Sequence, residues 1–174
     1  MDLSIAYAFY FAARGEGTIN EANSESKILY KTPARILLSG LGADEIFGGY
    51  TRHSSAFSRR GFPGLVEELE LDFRRLGKRN LGRDDRVISH WGKEARFPYL
   101  DEDLLRWVLQ LPVWEKCGFG QTTGDIGVDI EPGKKLLRLL AWKSGLRSVA
   151  LEKKRAVCTF SNSHYGGSWI NGRL

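Results

Sequence analysis

Cysteine is scarce in this chain: Cys117 and Cys158 are the two in 174 residues. Two thiols make at most one bridge and no metal set, which excludes a disulfide scaffold and fits a reducing compartment. A cytoplasmic location is therefore expected. No apolar run approaches the ~20 residues of a membrane span. Met1–Ala13 is apolar, but Asp2 stands where a signal peptide has its basic start, and no cleavage pattern follows. A buried helix, apolar on most sides, is expected there instead of a leader. The three histidines, His53, His90 and His164, lie far apart without ligand spacing, and each reads as a surface or hydrogen-bonded side chain. There is no internal repeat and no coiled-coil heptad.

What is present is ordinary globular composition, 42% hydrophobic and 27% charged. That excludes collagen-like and fully disordered classes. The net charge is +5, compatible with a phosphorylated ligand or nucleic acid, but the basic residues are spread along the chain beside acids, as in Asp84-Asp85-Arg86. A solvated mixed-charge surface accounts for them.

Along the chain, Leu3–Arg14 has helical content with Gly15 as a stop. Glu16–Ser26 is polar and reads as a loop. Ile36–Leu38 follows Pro33 as a short apolar run, expected to be a buried strand. Leu65, Leu69, Phe73 and Leu76 recur at helical spacing, with Pro63 near the start and Gly77 near the end. Arg83–His90 is a further helix. Asp101 reads as an N-cap before Leu104, Leu105, Val108 and Leu109, with Pro112 closing the helix. Gly118–Gly133 is loop-like. Lys134–Lys143 is a helix with Leu136, Leu137, Leu140 and Ala141 expected inward. A single confident strand needs neighbours, so others hide in segments that read as loops or the sheet is incomplete here.

Ser39-Gly40-Leu41-Gly42-Ala43-Asp44-Glu45-Ile46-Phe47-Gly48-Gly49-Tyr50 carries the most chemistry. A strand ending in Ser-Gly-x-Gly makes a tight turn whose amides are expected to be bare and able to approach phosphate, the more so where a helix starts next. Asp44 and Glu45 sit at that start, and a carboxylate there can hold Mg²⁺. The same residues also fit a plain strand-to-helix turn capped by Asp44. The segment is neither a Walker A loop nor a dinucleotide fingerprint. A second constellation is Glu94-Ala95-Arg96-Phe97-Pro98-Tyr99-Leu100-Asp101, where Glu94 and Arg96 share one side of an extended segment. Its alternative is a structural ion pair leading into a capped helix.

Together the two segments resemble the paired signatures of the asparagine synthetase family: Ser39 to Tyr50, with Gly42, Asp44, Glu45, Gly49 and Tyr50 in the pattern, and Glu94, Arg96, Pro98, Leu100 and Asp101. Arg52-His53 and Asn80–Arg86 are most like that family's domain-containing subfamily. The resemblance runs from Met1 to Val157, and residues 158–174 diverge. It implies an α/β, adenine-nucleotide α-hydrolase-like synthetase domain, incomplete here and mostly helical. It also implies ATP and Mg²⁺ as cofactors, with aspartate and ammonia or glutamine as substrates, in asparagine biosynthesis by a glutamine-hydrolysing ligase. Neither a membrane nor nucleic acid is an expected partner. By resemblance Ser39 and Gly40 contact the nucleotide and Asp44 is a magnesium ligand; no catalytic residue is assigned. The family's pyrophosphate-binding Ser-Gly-Gly-x-Asp-Ser loop and its glutaminase half are not in these residues, so the chain by itself is expected to make no asparagine and to bind ATP weakly. Leu41 replaces a glutamate frequent in asparagine-forming members. The family's late basic residue falls near Lys153, Lys154 and Arg155. A non-catalytic homologue serving as a binding or scaffold module is the alternative. Cys158–Leu174 is expected to be poorly ordered and dispensable for folding.

Overall fold

A computed structural model describes residues 3–20, 26–121 and 129–154. The described residues divide into two compact units, one drawn from 3–37 and 83–95, the other from 38–82 and 96–154. The expectations for the tail from Cys158 fall outside the described residues.

In the first unit, α1 (Leu3–Arg14) buries only Ala6 and Ala13, while Leu3, Tyr7 and Phe11 are exposed. Burial on most sides is thus corrected. Those three apolar residues recur every four positions and form one stripe that no described element covers. Glu16–Ser26 is also corrected: Glu16–Asn20 is a strand, β1, antiparallel to β2 (Lys27–Lys31). Its glycine and polar residues read as a loop, but Thr18 and Ile19 face Leu29 and Ile28 across the ladder, pairings that suit a strand. Glu16 bonds Arg14 at 2.7 Å and Lys31 at 2.9 Å. Arg83 and Asp84, both buried on α4 (Gly82–Ser89), form an ion pair at 2.7 Å.

Ile36–Leu38 is a strand, β3, as expected, and its neighbour is β4 (Glu94–Arg96). Glu94 N–H donates to the Arg35 carbonyl and Ser39 N–H to that of Arg96, both at 2.8 Å. The bonds advance together along both strands, so the pair is parallel. The strand is not buried: Ile36 is 48% and Leu38 74% exposed, because β4 is its single partner among the described residues. Glu94 and Arg96 are both exposed and share one side of β4, as alternation requires.

The second unit is helical. After β3 come α2 (Ala43–Phe47) and α3 (Thr51–Leu76). Gly61, at φ 63° and ψ −154°, breaks α3, so Pro63 lies at the start of its second segment, as the sequence predicts. The helical stretch before Gly61 shows faintly in the sequence, since Ala56 is its one buried apolar residue. Beyond Leu76 the chain continues through a π-helical turn, Gly77–Leu81, instead of stopping at Gly77. Asp101 caps α5 (Glu102–Gln110), its Oδ1 accepting from the amides of Asp103 and Leu104, both at 3.1 Å. A short α6 (Val113–Lys116), α7 (Lys135–Lys143) and α8 (Arg147–Leu151) follow.

Two apolar clusters hold this unit. Leu65 and Leu69 of α3 meet Val113, Cys117 and Phe119. Ile46 and Phe47 of α2 meet Val108, with Phe73, Tyr99, Leu136 and Leu137 against them. Leu140, expected inward, is 61% exposed: it is one turn on from Leu136 and Leu137, past the edge of that cluster. No helix among the described residues is long and apolar enough to cross a membrane.

Candidate phosphate-binding site

The turn between β3 and α2 uses most of its own amides. Ser39 is buried, and its Oγ accepts from Leu41 N–H at 3.2 Å. Ala43 N–H donates to the Gly40 carbonyl at 3.2 Å, and Gly42 N–H to Glu45 Oε2 at 3.1 Å. The expectation of a row of bare amides is thereby corrected: hydrogen bonds within the turn satisfy them. Gly40 N–H is the exception, with no acceptor among the described residues. Gly40 is exposed, and a Cβ built there meets nothing within 4 Å. Gly42 has φ 100°, and a side chain on it would strike Leu100 Cδ2 at 2.7 Å, so glycine is required twice over.

The two acids of the motif separate in role. Glu45 is 3% exposed and reaches back to the Gly42 amide, the carboxylate half of a capping box. Its Oε1 accepts from Tyr50 Oη at 2.6 Å and from Asn80 Nδ2 at 3.4 Å. Burial, then this bond to Glu45, pushes the Tyr50 phenol above its ordinary pKa. Glu45 and Tyr50 are therefore structural partners.

Asp44 faces two lysines. Lys154 Nζ donates to Oδ2 at 2.6 Å, and Lys134 Nζ lies 2.9 Å from Oδ1. Burial alone would raise the Asp44 pKa, but the bond from Lys154 and the charge of Lys134 outweigh it and hold the carboxyl below the usual range. Gly49 leaves room for this carboxylate: a Cβ there would fall 1.8 Å from Oδ1.

Both lysines are placed by the backbone around them. Lys134, at φ 59°, is the non-glycine residue with positive φ among those described, a strain that persists only when surroundings enforce it. Its N–H donates to the Phe47 carbonyl at 2.8 Å, which fixes it to the end of α2. That carbonyl also accepts from Cys117 Sγ at 3.2 Å; burial pushes the Cys117 thiol up to about 12. Lys154 is held through Arg138, 7% exposed on α7. The Arg138 guanidinium donates to the carbonyls of Ala150 at 2.8 Å, Glu152 at 2.7 Å and Gly133 at 3.0 Å, and to Glu131 at 2.9 Å. Glu131 in turn accepts from Lys154 N–H at 3.3 Å. The Lys154 ammonium also sits 4.1 Å from the Tyr50 ring centroid, with Arg52 4.0 Å from the same ring.

The expected residues thus divide. Ser39, Gly40 and Gly42 lie in the turn before α2, Asp44 and Glu45 on α2, and Gly49 and Tyr50 in the link from α2 to α3, while Asp101 is a helix cap elsewhere in the unit. Lys134 and Arg138 were missed. The available signal for Arg138 was an arginine among the leucines of an amphipathic helix. Lys154 was one of three residues marked for a late basic position, and the structure places it on Asp44.

His53 is fully buried. Its Nδ1 accepts from Tyr50 N–H at 3.2 Å, so the ring proton is on Nε2, which faces Asp72 Oδ2 at 2.8 Å. Burial lowers its pKa despite the carboxylate. A folded pKa below the unfolded value of 6.5 means that the unfolded chain takes up protons first as pH falls. This stabilisation is complete above pH 6.5 and is lost as pH falls through the lowered folded value. Denaturant melts of the wild type are expected to weaken across that window by up to about 1.4 kcal/mol per pH unit, and His53→Gln to flatten the slope.

The asparagine synthase family model matches residues 25–67 and 61–143. The chain is 45% identical over 158 residues to asparagine synthetase domain-containing protein 1 of Gallus gallus, covering 90% of this chain and 23% of that protein. It is 44% identical over 157 residues to the Homo sapiens protein of the same name, with 90% and 23% covered. It is also 44% identical over 79 residues to a putative asparagine synthetase [glutamine-hydrolyzing] 1 of Methanocaldococcus jannaschii, covering 45% of this chain and 15% of that one. The chain therefore spans about a quarter of the length of the curated relatives it matches. No solved structure gives a significant match. With the family model over most of the chain and the 45% identity across 90% of it, this chain belongs to the asparagine synthase family.

Proposed function

We propose that the turn at Ser39–Gly40, with Lys134 and Lys154, recognises the phosphates of ATP as part of an asparagine-synthetase-type region. Residues 1–157 are its portion in this chain, with the adenine-nucleotide α-hydrolase type of fold and a cytoplasmic, glutamine-dependent setting for the whole protein. The parallel pair β3–β4 and the order strand, glycine turn, helix support that fold. The observation that carries the site is Gly40. It is exposed, open around its Cα, without an acceptor for its N–H among the described residues, and four residues before the carboxylate that holds two ammonium groups. An anionic phosphate can meet that amide without a side chain in the way, and fixed ammonium groups offset its charge.

In the reaction proposed for the whole protein, the aspartate side-chain carboxylate attacks the α-phosphate of ATP and pyrophosphate leaves. Ammonia then displaces AMP to give asparagine. This chain's part is to bind and orient the phosphates and to offset leaving-group charge through ammonium groups. Mg²⁺ does not fit at Asp44 as these side chains stand, because Lys154 bonds Oδ2 and the Lys134 ammonium lies 2.9 Å from Oδ1, which has no hydrogen-bond partner but already faces a positive charge. Leu41, half-buried where a glutamate is frequent in the resembled motif, favours a second reading: a phosphate-binding module without ligase chemistry.

Gly40→Ala separates binding from folding. A methyl there meets nothing within 4 Å, so the melting temperature is expected to stay within a few degrees. ATP affinity, measured by calorimetric titration of the whole chain, is expected to fall at least about tenfold, because alanine keeps the N–H but its methyl stands where the phosphate approaches it. Equal affinity in the variant would refute the site. Aspartate-dependent release of pyrophosphate would decide between the ligase and the module.

A further inference from the structure

We propose that Lys134 and Lys154 occupy the cation position of this site, so that Asp44 positions two ammonium groups and excludes a divalent metal. The proposal rests on the same side chains as the phosphate reading but needs no nucleotide. Asp44 Oδ2 accepts a hydrogen bond from Lys154 at 2.6 Å, and the Lys134 ammonium lies 2.9 Å from the buried Oδ1, outside hydrogen-bond alignment, so that oxygen is met by charge alone. The nearest motif carboxylate, Glu45, is turned away onto Gly42 N–H, Tyr50 Oη and Asn80. Among the described residues no group of three or more His, Cys, Asp or Glu side chains is arranged to hold a metal ion.

A single carboxylate is a weak site for Mg²⁺, which gives up its water reluctantly. The lysines are tethered and compete at high effective concentration. Lys134 is fixed by its backbone bond to Phe47, and Lys154 by the chain that Arg138 and Glu131 hold and by the ring of Tyr50. The side chains of the trio are about a quarter exposed, which leaves the ammonium groups within reach of a soluble anion. The net charge of the trio is positive. The site therefore repels a free divalent cation and receives an anion directly.

The test is titration of the whole 174-residue chain with Mn²⁺ alone, followed by the electron paramagnetic resonance signal of free Mn²⁺. The wild type is expected to bind at least about tenfold more weakly than Lys134→Met/Lys154→Met, whose Asp44 carboxylate is freed. Adding Asp44→Asn to the double variant is expected to abolish the gain. Lys154 follows the last described helix, so Lys154→Met alone keeps the test decisive if the double variant does not fold; it is expected to bind Mn²⁺ more tightly than the wild type. Wild-type binding as tight as that of either lysine variant, or a gain that survives Asp44→Asn, would overturn the proposal. Because no nucleotide is added, failure to bind ATP leaves this readout unaffected.

Discussion

Glu45→Ala is expected to lower the unfolding free energy by about 3 kcal/mol, because it removes a buried acceptor from several donors at once. Glu45 is 3% exposed and accepts from Gly42 N–H, Tyr50 Oη and Asn80 Nδ2. Alanine restores none of these bonds. The Gly42 amide loses its cap at the start of α2, and the half-buried phenol of Tyr50 loses its acceptor. In a chain of this size the change amounts to a fall in melting temperature of roughly 6–12 °C. Glu45→Gln keeps an oxygen in place and exchanges charge-assisted bonds for neutral ones, so about 1 kcal/mol is expected. Thermal melts of the two variants check both values. Equal losses would mean that charge at this position, and not the acceptor, is what matters.

Arg138→Ala is expected to cost about 3–4 kcal/mol, because a buried guanidinium has a partner at every contact it makes. Its fork joins the carbonyls of Gly133, Ala150 and Glu152 to the carboxylate of Glu131. Alanine leaves these acceptors without donors and frees the segment that carries Lys154. The variant is thus expected to weaken phosphate binding as well as stability, although Arg138 itself touches no ligand. Arg138→Lys retains the charge but not the planar fork, and is expected to recover less than half of the stability. Denaturant unfolding measures the first effect. Loss of the Lys154 contact appears as a chemical-shift change at its side-chain ammonium. Full recovery by lysine would show that charge alone holds this segment.

Much of the site was legible because its chemistry is local. The strand at Ile36–Leu38, the glycine turn and the acidic start of α2 are contiguous, and each follows from neighbouring residues. Asp101 as a cap was legible for the same reason. The roles of Asp44 and Glu45 were not, since adjacent carboxylates at a helix start look alike until their partners are known. Those partners arrive from far along the chain: Asn80 is 35 residues from Glu45, and Lys154 is 110 residues from Asp44. Exposure of β3 and of the α1 stripe was misread because an apolar run reports what a segment can bury, not whether a neighbour covers it. The β1–β2 pair was misread because composition outweighed its short cross-strand pairs.

The central claim is that phosphate meets this chain at the Gly40 turn and the Asp44–lysine trio. The most direct test is a two-dimensional ¹⁵N–¹H spectrum of the labelled whole chain titrated with ATP. The expected result is a saturable shift of the Gly40 amide, together with those of the Lys134 and Lys154 side-chain ammonium groups. The shifts are expected to be lost in Gly40→Ala and Lys154→Met, with the rest of the spectrum kept. Shifts that saturate elsewhere and leave Gly40 and both lysines unmoved would contradict it.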